Sequence, residues 1–74
     1  MRVVGVAGRG RLVFDRRLGH GVDPRVLAYD AGWVVLRPVE ADLDEDGELR
    51  LVLRVRHRRE GDGHPRTQIG RAVV

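Results

Sequence analysis

Polar and apolar residues alternate with a period of two along much of the chain, most clearly over residues 49–58. There the odd positions are apolar as far as Val55, and four of the five even positions are Arg. Successive side chains of a β-strand point to opposite faces, so the pattern predicts a strand with an apolar face and an arginine face. Residues 33–44 alternate in the same way, except that Arg37 occupies an apolar position. Two such stretches joined by a short turn predict a β-hairpin.

The turn sequence fixes the register of this hairpin. A two-residue turn at Asp46-Gly47 would place an acid beside the core leucines, whereas a three-residue loop over 45–47 places Leu43 opposite Leu49. The longer loop also puts Gly47 at the left-handed position of a type I turn with a G1 bulge. We therefore predict four cross-strand pairs: Leu43 with Leu49, Asp42 with Arg50, Ala41 with Leu51, and Val39 with Leu53.

The remaining segments have weaker patterns. Residues 3–7 and 11–14 are predicted to form two short strands joined through Gly8-Arg9-Gly10. Residues 23–32 fit either a helix that begins after Asp23-Pro24 or a third hairpin, with its first strand at 26–29, and the pattern favours the strand slightly. Residues 67–74 are predicted to form a last strand.

These elements predict an all-β fold in a single small domain spanning residues 1–74. We expect a five- to six-stranded antiparallel barrel or coiled sandwich, with one short helical turn near 24–31 as the only alternative element. Long strands usually bend, and closure into a barrel is one way for them to do so. A chain of 74 residues buries only a modest core, so its stability is expected to be marginal.

Composition narrows the class of protein. The chain has no Cys, and its longest apolar runs are four residues, which predicts no transmembrane helix and a cytoplasmic location. All 14 basic residues are Arg and the net charge is +3. The absence of Lys favours the codon bias of a GC-rich genome over thermal adaptation, which usually enriches Lys and Glu. The number of Arg residues alone therefore does not indicate a function.

The sequence argues against an enzyme. It has no Ser or Cys nucleophile and no Lys for a Schiff base. Its glycine-rich stretch over residues 5–12 matches a phosphate loop only at the outer glycines, because Arg11 and Leu12 stand where Lys and Ser or Thr are needed. We predict a non-enzymatic protein without a cofactor.

Metal binding is also predicted to be absent. Asp42, Asp44, Asp46 and Gly47 match the first half of a calcium loop, but the closing Glu of such a loop is replaced by Leu53. The three histidines are not spaced like zinc ligands.

The remaining signal is a basic patch on the predicted arginine face. Three of its residues repeat at strand spacing, namely Arg54, Arg56 and Arg58. Arg59 and Arg66 follow the strand. Guanidinium groups about 7 Å apart on one strand suit successive phosphates. We predict a binding module that contacts the phosphate backbone of RNA or DNA through these residues.

Assembly is the alternative function. The predicted hairpin is acidic at its turn and basic at its open end, and Val34, Leu36 and Val52 lie among the charges. Contact between copies would pair opposite charges and bury these apolar residues. The expected partner would then be a second copy or another protein.

Overall fold

The structure, a computed structural model, describes residues 1–65. It contains one mixed β-sheet and one short helix. In chain order the elements are β1 (Arg2–Ala7), β2 (Arg11–Arg17), α1 (Pro24–Asp30), β3 (Trp33–Leu43) and β4 (Leu49–His57).

The four strands of the described part lie in the order β2-β1-β4-β3. Each of the two hairpins is antiparallel, and they join through a parallel pairing of β1 with β4. The predicted all-β class therefore fits only roughly, because one short helix accompanies a four-stranded sheet in the described part. The closed antiparallel barrel is wrong, and the described strands form a single mixed sheet instead of a sandwich. The sheet stays open because β2 and β3 form its two opposite edges, and the chain between them crosses a sheet face instead of pairing the edges.

This crossover, residues 18–32, covers the hydrophobic core. Leu18 and Ala28 from the crossover are buried against Val3, Leu53 and Val55 of the central strands. All three strand residues lie on the same face of the sheet, since Val3 pairs with Leu51 and the odd positions of β4 share that face. We call the covered side the core face and the opposite side the charged face.

Residues 24–30 form a helix, so the favoured strand at 26–29 is wrong and the alternative helical interpretation is confirmed. The backbone N–H of Arg25 donates to the side chain of Asp23 at 2.8 Å, which caps the first turn, and Pro24 begins the helix. Val26 and Ala28 are buried. The helix therefore gains from local capping and from tertiary packing, and only the first was visible in the sequence.

The β3–β4 hairpin confirms the predicted register next to the turn and departs from it farther away. Leu43 pairs with Leu49, Asp42 with Arg50 and Ala41 with Leu51, as expected. Two irregularities then shift the ladder, one between Pro38 and Glu40 and one between Val35 and Arg37. As a result, the residue opposite Leu53 is Pro38 rather than the predicted Val39. Arg37 lies opposite Arg54, on the charged face.

Gly47 has the expected left-handed backbone, with φ of 79°. We expect Gly47→Val to destabilise the protein by more than about 1–2 kcal/mol, the usual cost of a left-handed residue, because a β-branched side chain resists that region further. Thermal unfolding monitored by circular dichroism would measure the loss. Gly47→Asn is the control, since Asn tolerates this conformation, and equal melting temperatures for the two variants would contradict the prediction.

The predicted last strand over 67–74 and the candidate residue Arg66 lie outside residues 1–65. Within those residues, no helix is long and apolar enough to cross a membrane.

Candidate nucleic-acid interface

The charged face carries a row of long side chains across the sheet. The pairing registers place Arg2, Arg50 and Arg54 on this face, together with Asp15 of β2 and Asp42 of β3. Val4, Val6 and Val52 lie between the charges. The crossover that covers the core lies on the other side, so these charges face outward.

Two of these arginines form ion pairs, Arg50 with Asp42 of β3 and Arg2 with Asp15 of β2. Arg50 donates to Asp42 through Nε at 3.0 Å and Nη2 at 2.8 Å, and this hydrogen bonding lowers the pKa of Asp42. Arg2 Nε lies 3.3 Å from Asp15 Oδ1, close enough for ionic attraction but without hydrogen-bond geometry. Each is a partly exposed pair, so its contribution to stability is expected to be small.

A third pair holds Arg56 at the other end of the sheet. Arg56 donates to both carboxylate oxygens of Asp62, at 3.1 and 2.9 Å. The backbone N–H of Arg59 donates to the same carboxylate at 2.7 Å. The hydrogen bond from Arg56, followed by that from Arg59, lowers the pKa of Asp62 to about 2. Asp62 therefore stays ionised and neutralises Arg56 at neutral pH.

Arg37 and Arg54 differ from these paired arginines. They lie directly opposite each other in the β3–β4 ladder, and in the described part of the chain neither has a carboxylate partner. Arg54 Nη2 donates to the backbone carbonyl of Gly8, in the turn between β1 and β2. Arg9, the next residue of that turn, is exposed. Glu40 lies on the same face one pair along the ladder, opposite Val52, but forms no ion pair with Arg37 or Arg54 among residues 1–65. We call Arg37, Arg54 and the exposed Arg9 of the neighbouring turn the arginine corner.

The other predicted site residues serve different contacts. Arg58 lies beyond the end of β4, where its Nη1 donates to the carbonyl of Tyr29 at 2.7 Å and its guanidinium group lies 4.8 Å from the centre of the Tyr29 ring. It therefore holds the end of α1 against the end of β4. The side chain of Arg59 is exposed.

The aromatic residues are engaged away from the charged face. Phe14 is buried in the core, and Trp33 stacks on His57 with their ring centres 4.2 Å apart. The Tyr29 hydroxyl donates to the Asp62 carbonyl at 3.1 Å. Because these are all the aromatic residues of the sequence, base stacking on an exposed ring is not part of what this face offers.

The acidic turn of the β3–β4 hairpin is internally hydrogen-bonded. Asp44 Oδ1 accepts from the backbone N–H groups of Asp46 and Glu48, at 2.9 and 2.8 Å. Its carboxylate therefore shapes the turn. Among residues 1–65, no three His, Asp or Glu side chains are grouped closely enough to hold a metal ion.

Sequence reasoning did not include Arg37 in the candidate site. A signal was present, because an Arg at an apolar position beside a Pro indicates a local change of register.

The chain matches no protein-family model, no curated protein and no solved structure. The candidate site therefore depends on the arrangement of the side chains alone.

Proposed function

We propose that the protein binds the phosphate backbone of RNA or DNA through the corner of the charged face formed by Arg37, Arg54 and Arg9. Binding of this kind depends on charge and tolerates different base sequences. The protein would act as a non-enzymatic binding module.

The observation that carries the proposal is the contrast between paired and unpaired arginines on one face. Arg2, Arg50 and Arg56 each have a carboxylate within ion-pair distance. Arg37 and Arg54 have none among residues 1–65, although they lie opposite each other. Like charges directly opposite on a sheet are destabilising. A phosphate between the two guanidinium groups would remove this repulsion.

The geometry suits a single phosphate group or two adjacent ones. Side chains of a directly opposed pair begin about 5 Å apart at their Cβ atoms, and Arg side chains are long enough to converge or spread. The bond to Gly8 uses one amino group of Arg54 and leaves its other donors available. Anchoring one group in this way reduces the conformational freedom that Arg54 loses on binding.

The five arginines predicted from the sequence contribute unequally to this proposal. Arg54 is retained as a central contact. Arg56 is neutralised by Asp62 and Arg58 is engaged with Tyr29, so we assign them supporting or structural roles. Arg59 remains a candidate contact at the periphery, and the contribution of Arg66 stays a prediction.

The expected affinity is weak and strongly dependent on salt. Non-specific binding to nucleic acid typically has a Kd of about 10⁻⁴ to 10⁻⁶ M at physiological salt, and the slope of log affinity against log salt is about −0.9 per duplex phosphate contact or −0.7 for a single strand. We expect Arg37→Gln/Arg54→Gln to reduce this slope by about 1.5 units, since two contacts are lost. Fluorescence anisotropy with mixed-sequence single-stranded and duplex oligonucleotides would measure it.

Arg11→Gln is the control, and it removes one positive charge where the double variant removes two. Arg11 pairs with Ala7 near the same end of the sheet but belongs to the core face, so its loss changes the net charge without touching the proposed site. The control should retain the wild-type slope, because it removes none of the proposed phosphate contacts. Absence of wild-type binding at low salt, or equal slopes for the control and the double variant, would refute the proposal.

The residues predicted for assembly, the alternative function, do not form an exposed apolar surface. Val34 and Val52 are half-buried on the charged face, and of the three only Leu36 is exposed, at a bulge. A different surface supports contact between copies, and it is separate from the arginine corner.

A further inference from the structure

The core face has an uncovered apolar region at the turn end of the β3–β4 hairpin. Leu43 and Leu49 lie opposite each other there, with 66% and 44% of their surfaces exposed. They belong to the same face as Leu51, which packs at the margin of the core. The hairpin thus extends beyond the part of the sheet that the crossover covers, and its apolar side is exposed there.

A shallow groove of about 270 Å³ is lined by Met1 and by residues 18–22 of the crossover. Met1 is one of its lining residues and lies next to the pair, because Arg2 is the parallel neighbour of Arg50 and the Met1 ammonium is 3.4 Å from Glu48. Leu18 and Val22 of the crossover line the rest of its apolar wall. Met1 and Val22 are themselves partly exposed. The leucine pair and the groove are thus linked through Met1, and we call them together the turn-end patch.

The charges around the turn-end patch are complementary to each other. On the hairpin side, the exposed acids Glu45 and Asp46 have no side-chain partner among residues 1–65. On the other side, Arg16 is exposed on the core face, opposite Val3, and also has no partner in that range. Such a surface can meet its own copy across a two-fold axis, because each copy supplies both the acids and the base.

The structure of the edge strand β3 also favours contact through the face over pairing at that edge. The edge strand β3 contains Pro38, which has no N–H to donate, and two register shifts. Prolines and bulges on an edge strand prevent pairing with another strand. A second copy is therefore not expected to extend the sheet along this part of β3, and we place the contact on the face.

We propose that two copies of this chain form a two-fold dimer through their turn-end patches. Leu43 and Leu49 of each copy pack into the groove of the other beside Met1, Leu18 and Val22. Glu45 and Asp46 lie near Arg16 of the second copy. The dimer buries apolar surface that a small core leaves exposed, and it leaves both arginine corners accessible on the charged faces.

Sedimentation at increasing protein concentration tests the dimer. The wild-type protein should reach twice the 8.3 kDa mass of one chain, and Leu43→Gln/Leu49→Gln should remain monomeric while keeping its circular dichroism spectrum. Leu12→Gln is the control, because Leu12 is 58% exposed but pairs with Val6 of the charged face. This variant should dimerise like the wild type.

A charge exchange provides a second measurement that does not depend on the leucines. Glu45→Arg should weaken the dimer at low salt, and adding Arg16→Glu in the same chain should restore it, since the opposite charges then meet again. A monomeric wild-type protein at the highest soluble concentration would overturn the proposal. So would dimers that persist in the double leucine variant. Neither result bears on the oligonucleotide test, which uses residues of the opposite face.

Discussion

Gly5→Ala should cause one of the largest losses of stability available from a single methyl group. Gly5 lies opposite Phe14 in the β1–β2 ladder, and a Cβ atom at Gly5 would lie 2.6 Å from Cδ2 and Cζ of the Phe14 ring. The ring is buried and would have to leave its place in the core. Overpacking of this kind costs about 1–3 kcal/mol, and each kcal/mol lowers the melting temperature of a domain this size by about 4–8 °C.

That loss is large compared with the stability expected of the whole chain. At about 0.05–0.15 kcal/mol per residue, a protein of this length is stable by roughly 4–11 kcal/mol. Chemical denaturation of the wild type and of Gly5→Ala would give the difference directly. Gly19→Ala is the control, since a Cβ there would be in ordinary contact with Val22 at 3.4 Å.

A second substitution identifies the cause of the loss. Gly5→Ala/Phe14→Leu removes the ring that the new methyl group would strike, so the double variant should lose less stability than the two single variants added together. A coupling on the order of 1 kcal/mol is expected for side chains in direct contact. Additive losses would show that the ring is not what excludes a side chain from position 5.

The parts of the fold that local chemistry determines were predictable from the sequence. The loop at 45–47 and its left-handed Gly47 fix the three pairs nearest to it, because the turn type sets the register at once. The helix cap at Asp23-Pro24 was also visible. In each case the residues that determine the structure are adjacent in the chain.

The arrangement of the sheet was not predictable in the same way. The parallel pairing of β1 with β4 joins segments almost fifty residues apart. The sequence of neither strand indicates which strand lies beside it. The choice between helix and strand at 24–30 depends on the packing of Val26 and Ala28 against other parts of the chain. Tertiary packing decides between such alternatives, and the alternation of polar and apolar residues alone does not predict that packing.

The arginine face of β4 was predictable from the sequence, but the contacts that its residues make were not. The arginine face of β4 was correctly assigned, since Arg54 and Arg56 share it. The bulges in β3 bring Arg37 onto that face, and a turn 46 residues away brings Gly8 to Arg54. The neutralisation of Arg56 depends on a turn after the strand that folds Asp62 back toward it. Neither the placement of Arg37 nor the contacts of Arg54 and Arg56 follow from the alternation of polar and apolar residues.

Asp62 connects the segment after β4 to the sheet and to the helix. Its carboxylate accepts from the Arg56 side chain and from the backbone N–H of Arg59, and its carbonyl accepts from the Tyr29 hydroxyl. The pKa of the carboxyl is lowered to about 2 in the folded protein, whereas an Asp in an unfolded chain titrates near about 3.9. The unfolded chain therefore binds a proton first as pH falls. The stability that the Asp62 carboxylate contributes is complete above about pH 4 and is lost as the pH approaches about 2.

We expect Asp62→Asn to lower the melting temperature at pH 7, because Asn cannot form the charged, bidentate contact with Arg56. The difference between this variant and the wild type should shrink as the pH falls from about 4 to 2, where the wild-type carboxylate itself becomes protonated. Thermal unfolding at a series of pH values measures both effects. Glu60→Gln is the control, since Glu60 is exposed in the same segment and its side chain forms no hydrogen bond or ion pair within residues 1–65. If Asp62→Asn and Glu60→Gln had the same melting temperature at pH 7, the contacts of Asp62 would not hold this segment in place, and Arg56 would be available to phosphate alongside Arg37 and Arg54.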